Sequence, residues 1–202
     1  MAQLIPATRL RRMPWKNGGG STTEVAIHPA GASLADFAWR LSLADVESDG
    51  PFSLFPGVDR ILMLMDGAGM RLDVVSGAIE LREPFSVCTF NGDDAVDAML
   101  SDGAVRDCNL MVRRPGRGRL QAVLGKSIRV DPASFRICHA WRGAINVRVN
   151  DGAVNDLQAG STLLLDATDA QIPLVVDASA AGAVAIVATI DGAPGAAGRA
   201  DR

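Results

Sequence analysis

Turn punctuation sets the narrowest limit on what this chain can fold into. Five Asx-Gly pairs (Asp66-Gly67, Asn91-Gly92, Asp102-Gly103, Asp151-Gly152 and Asp191-Gly192) are spread along it. Glycine accepts positive φ and asparagine or aspartate tolerates it, which suits tight hairpins. Between the turns lie short runs with period-two or continuous apolar patterning. In the first half these are Thr22–Ile27, Phe37–Leu43, Arg60–Met65, Met70–Val74, Phe85–Phe90 and Val105–Val112. In the second they are Leu120–Leu124, Phe135–Ala140, Ile145–Val149, Ser161–Leu165, Ile172–Val176 and Ala183–Ile190. Val147 and Val149 alternate with Arg148 and Asn150, as in a half-buried strand. No segment carries a long helical stripe. The pattern predicts an all-β chain built as a sandwich or a barrel.

The 202 residues suffice for one domain or for two small ones fused. Tyrosine is absent and aromatics are 4%, so Val, Leu, Ile and Ala must build the core, with Met filling gaps. The net charge of −3 argues against broad nucleic-acid binding, which needs a basic face, and gives no reason to expect an anionic membrane as partner. Cys88, Cys108 and Cys138 are far apart in apolar surroundings, the spacing of buried reduced thiols and not of a disulfide framework or a zinc site. Met1 to Trp15 lacks the apolar stretch of a secretory signal, and no apolar run approaches the ~20 residues of a membrane span. A cytoplasmic setting is the expectation. His28 and His139 fall in different halves without ligand spacing, so no metal and no other cofactor is expected.

A weak repeat runs through the chain. Arg60-Ile61, Gly67-Ala68, Gly77-Ala78 and Leu81 are echoed by Arg136-Ile137, Gly143-Ala144, Gly152-Ala153 and Leu157. One-residue slips separate the two registers, where hairpins tolerate them. The repeat predicts two similar β halves. Their junction is expected in the basic loop that ends at Gly116–Arg119, giving halves 1–115 and 116–192. Residues 193–202, small and polar, are expected to be a disordered tail.

Four segments could carry chemistry. In Trp15-Lys16-Asn17-Gly18-Gly19-Gly20 the three glycines suit close approach of backbone to a ligand, and exposed amides there could cradle an anion. A loop leading into the first strand explains them equally well. In the run Phe37–Leu43, Trp39 and Leu41 share one face, with Arg40 and Ser42 on the other. Arg60 opens an apolar strand, where its planar fork could take a carboxylate or merely pair with Asp59 at the rim. Asp107, Asn109 and Met111 share a face, lining a pocket or facing water.

These segments resemble the HutD/Ves family. The similar blocks are Trp15–Gly20 with Thr22 and Glu24, Trp39-Arg40-Leu41-Ser42, Gly50-Pro51-Phe52-Ser53 with Pro56–Arg60, Phe90–Asp93, and Asp107–Met111. Five ordered blocks are far more specific than any one of them; the C-terminal half matches loosely. The resemblance implies a cupin-type (RmlC-like) β-sandwich with two related halves in one chain, and association with histidine utilisation. It implies as ligand a small anionic metabolite such as N-formylglutamate, formiminoglutamate or urocanate. It also implies that Lys16 and Arg60 face the pocket, with Asn17, Arg40, Ser42, Asp107 and Asn109 as further binding candidates.

Three readings of the function follow. The first is a ligand-binding modulator with no catalytic residue. The second is a metal-independent isomerase or hydrolase acting on a small acid, with Glu24 or Asp107 as general base. The third is a structural or interaction protein with a vestigial pocket. A homodimer through edge strands is compatible with each.

Overall fold

Tight turns join short strands throughout the computed structural model, which describes residues 2–193. The first eleven strands are β1 (Gln3–Ile5), β2 (Arg11–Pro14), β3 (Gly20–His28), β4 (Trp39–Val46), β5 (Gly50–Pro51), β6 (Val58–Asp66), β7 (Met70–Val74), β8 (Gly77–Leu81), β9 (Val87–Asn91), β10 (Asp97–Leu100) and β11 (Val105–Arg113). They are followed by β12 (Arg117–Leu124), β13 (Ser127–Val130), β14 (Phe135–Arg142), β15 (Ile145–Val149), β16 (Val154–Leu157), β17 (Thr162–Leu165), β18 (Leu174–Asp177) and β19 (Val184–Asp191). Two three-residue 3-10 segments interrupt them, and no α-helix occurs among the described residues. The five Asx-Gly pairs all fall at strand ends.

The chain divides into two compact units. One is Arg11–Gly118; the other joins the chain up to Leu10 to the chain from Arg119 on. The first unit has a six-stranded sheet, β2-β3-β4-β11-β6-β9, and a four-stranded sheet, β5-β10-β7-β8. The second has a five-stranded sheet, β1-β17-β14-β19-β12, and a four-stranded sheet, β13-β18-β15-β16. Each unit is thus a sandwich and not a closed barrel. Matching β4 to β11 one by one with β12 to β19 reproduces the same strand order in both sheets. The sequence repeat follows that match: Gly67 and Gly143 end β6 and β14, while Leu81 and Leu157 close β8 and β16.

Apolar alternation fills both interiors. The core of the first unit includes Leu62, Leu64, Met70, Leu72, Leu81 and Ala98. That of the second includes Val123, Val147, Leu157, Leu165, Val176 and Val187. Burying a large aliphatic side chain contributes roughly 1.5–3 kcal/mol. The three cysteines are buried and free.

Seven strands escape the apolar pattern: β1, β2, β5, β8, β10, β13 and β16. All but β10 lie at a sheet edge. An edge strand is partly solvated and carries polar side chains, so its sequence alternates weakly. Ala193, placed above in a disordered tail, is buried; residues 194–202 lie outside the described residues.

Candidate functional site

In the first unit β11 lies between β4 and β6, and its register builds the site. Met111 is opposite Arg40 and Arg60, Asn109 opposite Ser42 and Leu62, and Asp107 opposite Ala44 and Leu64. Side chains two apart share a face, so these rows lie on one side of the sheet. Glu24 of β3 extends the Ser42 row. Ala44, Leu62 and Leu64 of the same face belong to the unit's core, so the polar groups enter its interior. Arg40, Ser42, Arg60, Asp107 and Asn109 are all buried.

Arg40 is held within the sheet. Its Nε donates to Glu24 Oε2 at 2.8 Å, and its Nη1 to Ser42 Oγ at 3.4 Å. The register of β3 shifts between Glu24 and Ala26. Such a bulge re-aims the neighbouring side chain, and here it accompanies the turn of Glu24 towards Arg40. The Glu24 side chain keeps 31% exposure against 6% for Arg40, so it is the member of the pair in touch with solvent.

Arg60 does not pair with Asp59, which bonds Arg114 instead. Its guanidinium carbon lies 4.9 Å from the ring centroids of Phe52 and Phe90 and 5.6 Å from that of Phe55. This aromatic setting favours a cation while keeping water away. Nη1 donates to the Ser53 carbonyl at 3.2 Å, whereas Nε has no partner. Burial lowers Arg60 to about 10, with the Asp107 charge opposing that shift. It therefore stays cationic at neutral pH.

Asp107 and Asn109 complete the row. The Oδ1 atoms of both are buried without a partner. Burial raises the Asp107 carboxyl to about 7, although Arg60 pulls it down. A buried polar atom without a partner costs free energy, so one cationic donor and two oxygens left open in one interior call for explanation.

The glycine segment is an ordered turn. Trp15 N donates to Gly20 O at 2.9 Å and Gly18 N to Trp15 O at 3.1 Å. Gly19 N donates to Asn17 Oδ1 at 3.1 Å. The amides of Gly18 and Gly19 are therefore engaged within the turn. Gly20 is required sterically: a Cβ there would lie 2.2 Å from the Asp45 carbonyl and 3.1 Å from the Trp15 ring. Lys16 and Asn17 are exposed. Gly20 pairs with Val46, whereas Ile27 pairs with Arg40. Those rows are six or seven residues apart, roughly 20 Å of strand. The structure sets Arg60, Arg40, Ser42, Asp107 and Asn109, together with Glu24, on one sheet face, with Asp107 in the row nearest the Gly20 end, and puts Lys16 and Asn17 in the turn beyond that end, away from Arg40 and Arg60.

The aromatic surround of Arg60 was missed from sequence. Phe52, Phe55 and Phe90 come from two separate segments, and only the repeated Phe near Arg60 could have signalled it.

In the second unit the repeat places Arg136 where the first has Arg60. It too is buried with its Nε unpartnered, but both of its Nη groups are engaged: Nη1 donates to Ile172 O at 2.7 Å and Nη2 to Asp169 O at 2.5 Å. The core on that side is apolar. His139 is buried against Thr162 Oγ1 at 2.9 Å, and burial pushes its ring down to about 4. It is neutral and structural at pH 7. Among the described residues no three His, Cys, Asp or Glu side chains group as a metal site.

The HutD family model matches residues 7–185. A Pseudomonas putida relative, described as an uncharacterized 21.2 kDa protein in the hutC 3' region, is 38% identical over 175 residues. That match covers 86% of this chain and 92% of the relative. The solved structure of HutD from Pseudomonas fluorescens SBW25, in a formate condition, is similar with a TM-score of 0.79 and 31% identity, covering 95% of this chain and 98% of that one. A cupin 2 conserved barrel domain protein from Leptotrichia buccalis shares the fold, with a TM-score of 0.55 and 11% identity over 94% of this chain and 96% of that one.

Proposed function

The chain belongs to the HutD family, and we propose that it binds a small carboxylate in the interior of its Arg11–Gly118 unit and so modulates histidine utilisation. The observation that carries this reading is the buried Arg60 guanidinium with its Nε unpartnered, on the sheet face it shares with Arg40 and Ser42. A planar fork in a dry aromatic setting is matched to a carboxylate, and charge-assisted hydrogen bonds there are strong. The relative in the hutC 3' region and the HutD structure support the link to histidine utilisation. N-formylglutamate, formiminoglutamate and urocanate are the candidates.

A thermal-shift series with these acids and formate tests the reading. A ligand at a hundredfold excess over its Kd stabilises the folded state by about 2.7 kcal/mol. Arg60→Met, which keeps the aromatic packing and loses the fork, is expected to weaken binding at least tenfold. Lys16→Ala, at the far end of the sheet, is expected to change it by no more than about twofold. A larger loss from Lys16→Ala than from Arg60→Met would move the site to the Trp15–Gly20 turn. Absence of any shift at millimolar acid would end the carboxylate reading.

A second reading, acid–base chemistry on the same acid, is favoured by one observation. The Asp107 carboxyl, raised to about 7, is poised for proton transfer at neutral pH. Following each acid by NMR in the presence of the protein separates the two, because a modulator leaves its ligand unchanged.

A further inference from the structure

Building on the carboxylate-binding reading, we propose that this site takes up its anion together with one proton, which Asp107 holds. The argument is one of charge in a closed interior. Arg40 and Glu24 form an ion pair. That leaves Arg60 as the cation acting on Asp107, and no Arg, Lys or His nitrogen lies within 4 Å of the Asp107 oxygens among the described residues. Two guanidiniums thus face two carboxylates, and a ligand carboxylate would be a third negative charge claiming the same Arg60. Two anions that share one cation away from water do not both stay ionised. A proton on Asp107 restores the balance: it comes from solvent, no covalent bond changes, and it leaves with the ligand.

The neighbours leave this role to Asp107. On β6, four residues before the Leu64 that lies opposite Asp107, stands Arg60, whose charge acts on the carboxyl and which stays cationic to about pH 10. From β4 come Arg40 and, further along, Asp45, whose charge also favours the protonated form of Asp107. From β3 comes Glu24, tied to Arg40. From β9 comes Cys88, whose thiol burial pushes up to about 11. On its own strand the Cys108 thiol is raised further by burial, and Arg106 is bonded to Asp45. The facing four-stranded sheet brings apolar Met70, Leu72, Leu81 and Ala98 to the same core. Burial already places the Asp107 proton in the neutral range, so modest pH changes would move it.

The test is calorimetric titration with formate and with N-formyl-L-glutamate, from pH 6 to 9, in two buffers of different ionisation enthalpy. The carboxyl groups of both probes titrate far below this window. Above pH 7 the Kd is expected to rise about tenfold per pH unit, or roughly a hundredfold between pH 6 and 9. Proton uptake should approach one per ligand at pH 8. Asp107→Asn, a neutral mimic of the protonated carboxyl, should bind at pH 8 within a few-fold of the wild-type affinity at pH 6, with a flat profile. If that variant does not fold, the proton count on the wild type decides alone. Binding with a flat Kd and no proton uptake overturns the coupling and spares the carboxylate reading. No binding of either acid at any pH overturns both.

Discussion

Asp107→Asn is expected to gain stability relative to the wild type as pH rises, with no ligand present. The Asp107 carboxyl ionises near 3.9 in the unfolded chain and at about 7 in the fold, because burial penalises its charge. Between those values the folded state holds a proton that the unfolded state has released. Unfolding stability therefore falls with rising pH over this window and levels off above it. Three units at about 1.4 kcal/mol each amount to roughly 4 kcal/mol, an order-of-magnitude figure. Asparagine cannot ionise. The difference between variant and wild type should therefore open from pH 4 to pH 8 by a few kcal/mol in favour of the variant. Urea denaturation at pH 4, 6 and 8 reads it directly. Parallel pH profiles for the two proteins would mean that Asp107 is ionised in the fold at ordinary acidity. Other carboxylates titrate in both proteins and cancel in the comparison.

Arg136→Ala should be the most damaging substitution in the second unit, with a loss of roughly 3–5 kcal/mol. The side chain is fully buried, and its two Nη groups tie the main chain at Asp169 and Ile172 to the start of β14. Truncation removes the packing and leaves two carbonyls without their charged donor. Arg60→Met, at the matching position of the repeat, should cost less than about 2 kcal/mol, because methionine refills the space between the phenylalanine rings. Chemical denaturation of both variants makes the comparison. Equal losses would contradict the division of labour in which one arginine of the repeat fastens the chain and the other is left open to a ligand.

The interior strands were legible because burial leaves an alternating record. Arg40 against Trp39 and Leu41, and Asp107 and Asn109 against Cys108 and Leu110, were assigned to opposite faces by period two alone, and the register agrees. The turns were legible through the Asx-Gly pairs. What stayed hidden depends on pairing between distant segments. The ion pair of Glu24 with Arg40 needs a bulge that no local pattern announces. The rings around Arg60 come from residues about forty positions apart. Lys16 and Asn17 were associated with Arg60 by resemblance, yet the distance between two ends of a sheet is set by register, which a single sequence does not display. Edge strands such as β8, with the pattern Gly-Ala-Ile-Glu-Leu, bury too little to be distinguished from loop.

The pairing of β1 with β17 has a consequence for the time course of synthesis. Gln3 is opposite Leu164, about 160 residues later in the chain. At translation rates of about 5–20 residues per second, β1 emerges roughly 10–30 s before its partner exists. The Arg11–Gly118 unit, contiguous in sequence, can close during that interval, whereas the five-stranded sheet cannot be completed until β17 has been made. A nascent chain halted before Thr162 would therefore carry a finished Arg11–Gly118 unit with β1 unpaired. Such products should be recognisable by proteolysis that removes the segments on either side of Arg11–Gly118 and spares that unit.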